Sequence, residues 1–153
     1  MLKVEKHPER DNLFVEQVDV GDESGPRTIV SGLAHYMTPE ELTGQLVVVA
    51  TNFKASKFAG VLSQGMVLAA SNTDKTQVEI LQAPEEAKIG ECITFEGFDA
   101  TPDPVLNPKH KVFEKCLVDF SVNEDLVAMF KGVSFETSAG PVTVKSLVGG
   151  TIG

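Results

Sequence analysis

A chain of 153 residues with 42% apolar and 23% charged side chains is long enough for one domain with a real core, or a small domain plus an appended lobe, and excludes wholesale disorder. Its formal net charge of −9 opposes general attraction to a polyanion, so any nucleic-acid surface has to be local. No apolar run approaches the roughly 20 residues of a membrane span, and residues 1–8 lack the apolar stretch of a secretory signal; the expected protein is cytoplasmic, with no membrane partner.

The first hundred residues read as short strands joined by turns. Residues 2–6 are an extended start closed by His7-Pro8 and Asp11-Asn12, and residues 13–20 alternate, with Phe14, Val18 and Val20 on one face. Gly21, Gly25 and Pro26 break the chain before a β-branched strand at 27–31. Thr38-Pro39-Glu40-Glu41 opens a helix: the threonine hydroxyl can accept from the third helical N–H, proline suits the first helical position, and Gly44 stops the helix after little more than one turn. Residues 46–50 form an unbroken apolar strand covered on both faces, with 66–70 as companion. The intervening segment is a long loop of the kind that is often functional. A turn at 72–75 leads into a strand at 78–81, and a further alternating strand is expected at 92–95. About six strands with one short inserted helix predict a mainly β protein, a five-stranded Greek-key OB barrel with one extra strand; alternation alone leaves a sandwich open.

Three prolines in residues 99–108 mark a boundary, dividing the chain into a barrel at 1–98 and a C-terminal lobe at 99–153. In the lobe, Asn107 and Pro108 can open a helix whose apolar face holds Val112, Phe113, Cys116, Leu117 and Phe120. A hairpin follows, with Lys131-Gly132 turning between 126–130 and 133–137. So small a lobe cannot cover its own apolar face and is expected to dock on the barrel.

Catalytic signatures are absent: His7, His35 and His110 are scattered, and neither a nucleophile elbow nor a phosphate loop occurs. The carboxylates are expected in turns and on solvated strand faces. Cys92 and Cys116 form no Cys-x-x-Cys pair, so no zinc or redox site is implied and two buried, reduced thiols are expected. Between Glu41 and Asp74 no carboxylate occurs, while Lys54 and Lys57 do, interleaved with Phe53 and Phe58. Lysines meet phosphates by counterion release, whereas rings and amides meet unpaired bases. On composition alone Phe53 belongs to the core. Ser63 and Gln64 add uncharged donors and acceptors beside Gly65, whose missing side chain permits close approach.

Arg27-Thr-Ile-Val-Ser-Gly-Leu33, the 52–57 loop and Gly60-Val-Leu-Ser-Gln-Gly-Met66 together resemble the tRNA-binding domain related to endothelial monocyte-activating polypeptide II. Lys6-His-Pro-Glu-Arg-Asp11, Asp103-Pro-Val-Leu-Asn-Pro-Lys109 and Lys131-Gly-Val-Ser-Phe135 extend the likeness over nearly the whole chain. The resemblance implies an OB fold, a C-terminal lobe that imitates the second subunit of a dimer, and hence a monomer with an internal pseudo-dimer interface. It also implies a non-catalytic module without cofactor or metal, which binds tRNA largely by shape and is appended to a methionyl- or tyrosyl-tRNA synthetase or carried by an auxiliary factor. The contacts it implies are Asn52, Lys54, Lys57, Ser63, Gln64 and Met66, joined by Arg27, Lys109 and Lys111 toward phosphates. Family members commonly have proline where Ala55 stands and a basic residue where Ala59 stands, so this loop is less basic than its relatives; separately, lysine is frequent where His110 stands. The alternative is a cytokine-like or protein-interaction module using the acidic surface.

Overall fold

In a computed structural model of the chain, residues 1–97 and 112–152 are described; the boundary at 99–108, the helix cap at Asn107, and Lys109 and Lys111 lie outside them. The fold is mainly β. Strands β1 (Lys3–Lys6), β2 (Phe14–Val18) and β3 (Arg27–Ser31) form an antiparallel meander, with Phe14 opposite Ser31 and Val18 opposite Arg27. Phe14 and Val18 are buried on its inner face as alternation requires, and so is Glu16 between them. Among the described residues that carboxylate is the exception to solvated acids. It accepts from the Ser31 hydroxyl, and its Oε2 has no hydrogen-bond partner. Burial pushes its pKa up to about 7, an effect the Ser31 hydrogen bond only partly offsets.

Helix α1 (Pro39–Leu42) begins as its capping residues dictate: Thr38 is extended, and its Oγ1 accepts from the Glu41 N–H at 3.2 Å. Leu42 is fully buried against the meander, and Gly44, at φ +86°, takes the left-handed turn that ends the helix.

The apolar runs 46–50 and 66–70 lie between two cores. Val47, Val49, Val67 and Ala69 pack with Phe14, Val18 and Ile29, while Val48, Ala50, Leu68 and Ala70 pack on the opposite side with Leu81 and the C-terminal segment. A strand covered on both faces needs no polar alternation, which is why these runs read as unbroken. Regular pairing is shorter than the runs: β4 (Val49–Ala50) pairs with β7 (Met66–Val67), and β8 (Ala69–Ser71) pairs with β9 (Val78–Ile80).

The C-terminal segment is woven into this second core. After α2 (Val112–Leu117) come β10 (Phe120–Val122), β11 (Ala128–Phe130) and β12 (Val133–Ser134), with Lys131 and Gly132 both at positive φ in the tight turn between the last two. The paired strands β13 (Glu136–Thr137) and β14 (Gly140–Pro141) follow, and β15 (Thr151–Ile152) adds to the edge of β8. Phe95, Phe120, Phe130 and Phe135 form a ring of edge-to-face contacts with centroids 4.8–5.4 Å apart.

Four expectations are corrected. Phe120 is in a strand rather than on the helical face. Residues 92–95 contribute one bridge, Thr94 with Glu136, rather than a strand. Cys92 is exposed and Cys116 only half-buried, because neither belongs to a strand that faces a core. The described strands fall into six separate sheets rather than one closed barrel, since breaks such as Leu68 between β7 and β8 interrupt the ladders.

Candidate nucleic-acid interface

The segment expected to be a loop contains a hairpin, β5 (Ser56–Phe58) and β6 (Val61–Ser63), with Ser56 opposite Ser63 and Phe58 opposite Val61. Ala59 and Gly60 turn it at φ +48° and +86°, the geometry of a two-residue hairpin turn. Ala59 carries no turn signal, which hides the hairpin from a sequence reading.

Two of the expected contact residues stitch this hairpin to β3. Ser63 is 3% exposed; its hydroxyl accepts from the Val30 N–H at 3.0 Å and donates to the Gly65 carbonyl at 3.0 Å. The Gln64 N–H donates to the Thr28 carbonyl, and Gln64 Oε1 accepts from the Thr28 N–H, so one side chain extends the ladder where backbone pairing stops. Gly65 is needed because a Cβ there would stand 3.0 Å from the Ala50 carbonyl oxygen; the close approach is internal.

Arg27 is likewise engaged. Its Nε lies 2.6 Å from Asp22 Oδ2, and Nη1 donates to the carbonyls of Thr51 at 2.7 Å and Gln64 at 3.0 Å. The guanidinium thus fastens both ends of the 52–63 segment to β3. Arg27→Ala is expected to lower stability by about 2 kcal/mol, chiefly by removing the partner of the part-buried Asp22 carboxylate and with it the tie to two carbonyls. Urea unfolding measures this, and wild-type stability in the variant would show the clamp to be dispensable.

Beside the hairpin lies a groove of about 490 Å³. Lys54, Ser56 and Phe58 line it together with Phe53, Tyr36 and Lys75, over a floor supplied by β3 and β7. Strand alternation explains the membership: Ser56 and Phe58 share one face of β5, and Lys57 between them does not line the groove. Phe58 is 47% exposed and Tyr36 40%. The Tyr36 hydroxyl donates to the Lys75 carbonyl at 3.0 Å, tying the 72–75 turn to the rim. No carboxylate lines the groove among the described residues. Asp74, next to Lys75, accepts from the N–H and hydroxyl of Thr76, which hold its pKa below the usual value.

The expected contacts therefore divide. Lys54 and Met66 line the groove and Ser63 closes it from below, Gln64 and Arg27 stand at its structural edge, Asn52 is half-buried ahead of it, and Lys57 is exposed on the other face of the hairpin. Tyr36 and Lys75 carry no local signal in the sequence. The fold brings them to Lys54.

The family model described as "Putative tRNA binding domain" matches residues 1–92, which include β1 to β9 and the hairpin. The chain belongs to this family. As a tRNA-binding domain it is 49% identical over 152 residues to the cytoplasmic methionine–tRNA ligase of Arabidopsis thaliana, a match that covers 99% of this chain and 19% of that protein. It is 48% identical over 154 residues to the cytoplasmic tyrosine–tRNA ligase of Gallus gallus, covering 99% of this chain and 29% of the ligase. Among solved structures, the C-terminal domain of Plasmodium vivax p43 superposes with a TM-score of 0.91 at 33% identity, covering 99% of this chain and 92% of that one. The domain thus spans less than a third of either ligase's length but nearly all of the p43 domain.

Proposed function

We propose that this domain is a non-catalytic module that binds tRNA and serves an aminoacyl-tRNA synthetase of the methionyl or tyrosyl type, in cis as an appended domain or in trans as an auxiliary factor. Holding tRNA beside the synthetase raises its effective concentration there, while the enzyme performs aminoacylation. The observation that carries this reading is the groove: aromatic rings and two lysines around a carboxylate-free lining, on a chain whose net charge is −9. Confining positive potential to one site lets an acidic protein meet a polyanion in one orientation.

In this reading Lys54, Lys57, Asn52 and Met66 meet RNA, Lys109 and Lys111 reach phosphates, Arg27, Ser63 and Gln64 hold the hairpin that presents them, and the cytoplasm is the working compartment. The strands of residues 1–98 take an OB-type arrangement whose ladders stay separate, and residues 99–153 form the lobe that docks on it as a pseudo-dimer half within a monomer. The core shared between Leu68, Ala70 and Leu81 and the C-terminal Val122, Val142 and Ile152 supports that docking.

Binding to folded tRNA, compared with an unstructured RNA of equal length, tests the function; no complex with tRNA at low salt would overturn it. Each phosphate contact contributes roughly 0.9 unit to the slope of log affinity against log salt. The double substitution Lys54→Ala and Lys57→Ala is therefore expected to flatten the slope for tRNA by about two units. An unchanged slope would remove both lysines from the interface.

A further inference from the structure

Recognition by shape requires only a surface that follows the phosphate backbone, and a concave apolar groove is superfluous for it. The groove here has the size of a small-ligand site, roughly 300–1,000 Å³. Its rings come from three separate places: Phe53 before the hairpin, Phe58 within it, and Tyr36 ahead of α1. Lys54 and Lys75, remote in sequence, both border it. Exposed aromatic rings beside lysines suit an unpaired nucleotide, whose base has a π-face for the rings and whose phosphates take the ammonium groups. A base-paired stem presents neither an accessible base face nor a width that enters such a groove. Charge and chemistry select among occupants as well: an acidic peptide would find the lysines but leave the rings without a planar partner, and the Thr28 and Val30 N–H groups of β3 are already taken by Gln64 and Ser63.

We infer that the groove bounded by Tyr36, Phe53, Phe58, Lys54 and Lys75 is a pocket for a single unpaired nucleotide of the bound RNA, an inference that rests on the tRNA-binding reading above. The domain then has two modes of contact: phosphates gripped on the outer face of the hairpin by Lys57, and one extruded or terminal base held in the groove. Phe58 is the principal stacking ring because it is the most exposed of the lining aromatics whose exposure stands out, at 47%. Ser31 and Ser71 also line the groove, but their hydroxyls are engaged with Glu16 and Thr151 and impose no base identity.

The molecule carries its own reporter: Tyr36 is the one tyrosine of the chain, which has no tryptophan. Titration with a short single-stranded oligonucleotide is expected to quench Tyr36 emission, and a blunt-ended RNA duplex with the same number of phosphates is expected to leave it unchanged. Phe58→Ala, at an exposed position that does not threaten folding, should weaken the oligonucleotide about tenfold, the size of one lost stacking contact. Lys75→Gln should lower the salt slope for the oligonucleotide by about 0.7 unit. Quenching by single strand and duplex alike, or Phe58→Ala and Lys75→Gln binding the oligonucleotide as tightly and with the same slope as wild type, would overturn the pocket. If tRNA binds in a gel shift while the single strand fails to quench, the pocket is overturned and the tRNA-binding reading stands. Failure of tRNA itself to bind at low salt overturns both.

Discussion

Phe135→Ala is expected to lower stability by about 4 kcal/mol, within the range for deleting a fully buried ring. Phe135 is 2% exposed and meets Phe95 at 4.8 Å and Phe120 at 5.2 Å between centroids, both edge-to-face. Removing it leaves a cavity and also breaks two aromatic pairs, each contributing roughly 0.5–1.5 kcal/mol beyond buried area. The Phe95 pair joins residues from either side of the 99–108 segment, so the loss should loosen the two halves together. Urea unfolding monitored by far-UV circular dichroism should still show a single transition, displaced to lower denaturant. Val118→Ala, at a position 82% exposed, should stay within about 0.5 kcal/mol of wild type. Equal stability of the two variants would remove Phe135 from the core.

The second large effect depends on pH. Glu16 has its pKa raised from an ordinary 4.5 to about 7, chiefly by burial. Between those values the folded chain keeps the proton while the unfolded chain has released it. Stability therefore falls as pH rises through this window and levels off above it. A shift of this size corresponds to about 3 kcal/mol at pH values above the folded pKa. Glu16→Gln, which keeps the neutral shape, should flatten the decline and be more stable than wild type by about that amount in mildly alkaline solution, with a much smaller difference in mildly acidic solution. Urea midpoints for both proteins on either side of the window measure it. Parallel pH profiles for wild type and variant would mean that Glu16 titrates as an ordinary surface acid.

The parts of the fold legible in the sequence are those fixed by neighbours in the chain. Thr38, Pro39 and Gly44 specify the helix with its start and stop, and Lys131-Gly132 specifies a hairpin turn. The unbroken run at 46–50 announces a doubly covered strand without saying what covers it. Burial decided by distant partners was not legible: Glu16 sits in register with Phe14 and Val18, yet its chemistry suggests solvent, and the Ser31 hydroxyl on β3, remote in sequence, offsets part of the cost of its burial. The site divides in the same way. Lys54 and Phe58 stand close together in a carboxylate-free stretch and could be noticed there. Tyr36 and Lys75 reach the groove from two other turns, and Lys75 follows Asp74 at the point where that stretch ends.

The edge of β8 is occupied by β15, whose Thr151 lies opposite Ser71, 80 positions away in the chain. Closing so long an interval is entropically slow, which gives such a sheet a late step in folding. During synthesis the face formed by Val48, Leu68, Ala70 and Leu81 emerges long before Val142, Leu147 and Ile152 arrive to cover it. A nascent chain therefore carries a sticky, unfinished surface until translation has reached the last of these residues, and an early stop codon would leave a product prone to aggregation rather than a smaller working domain.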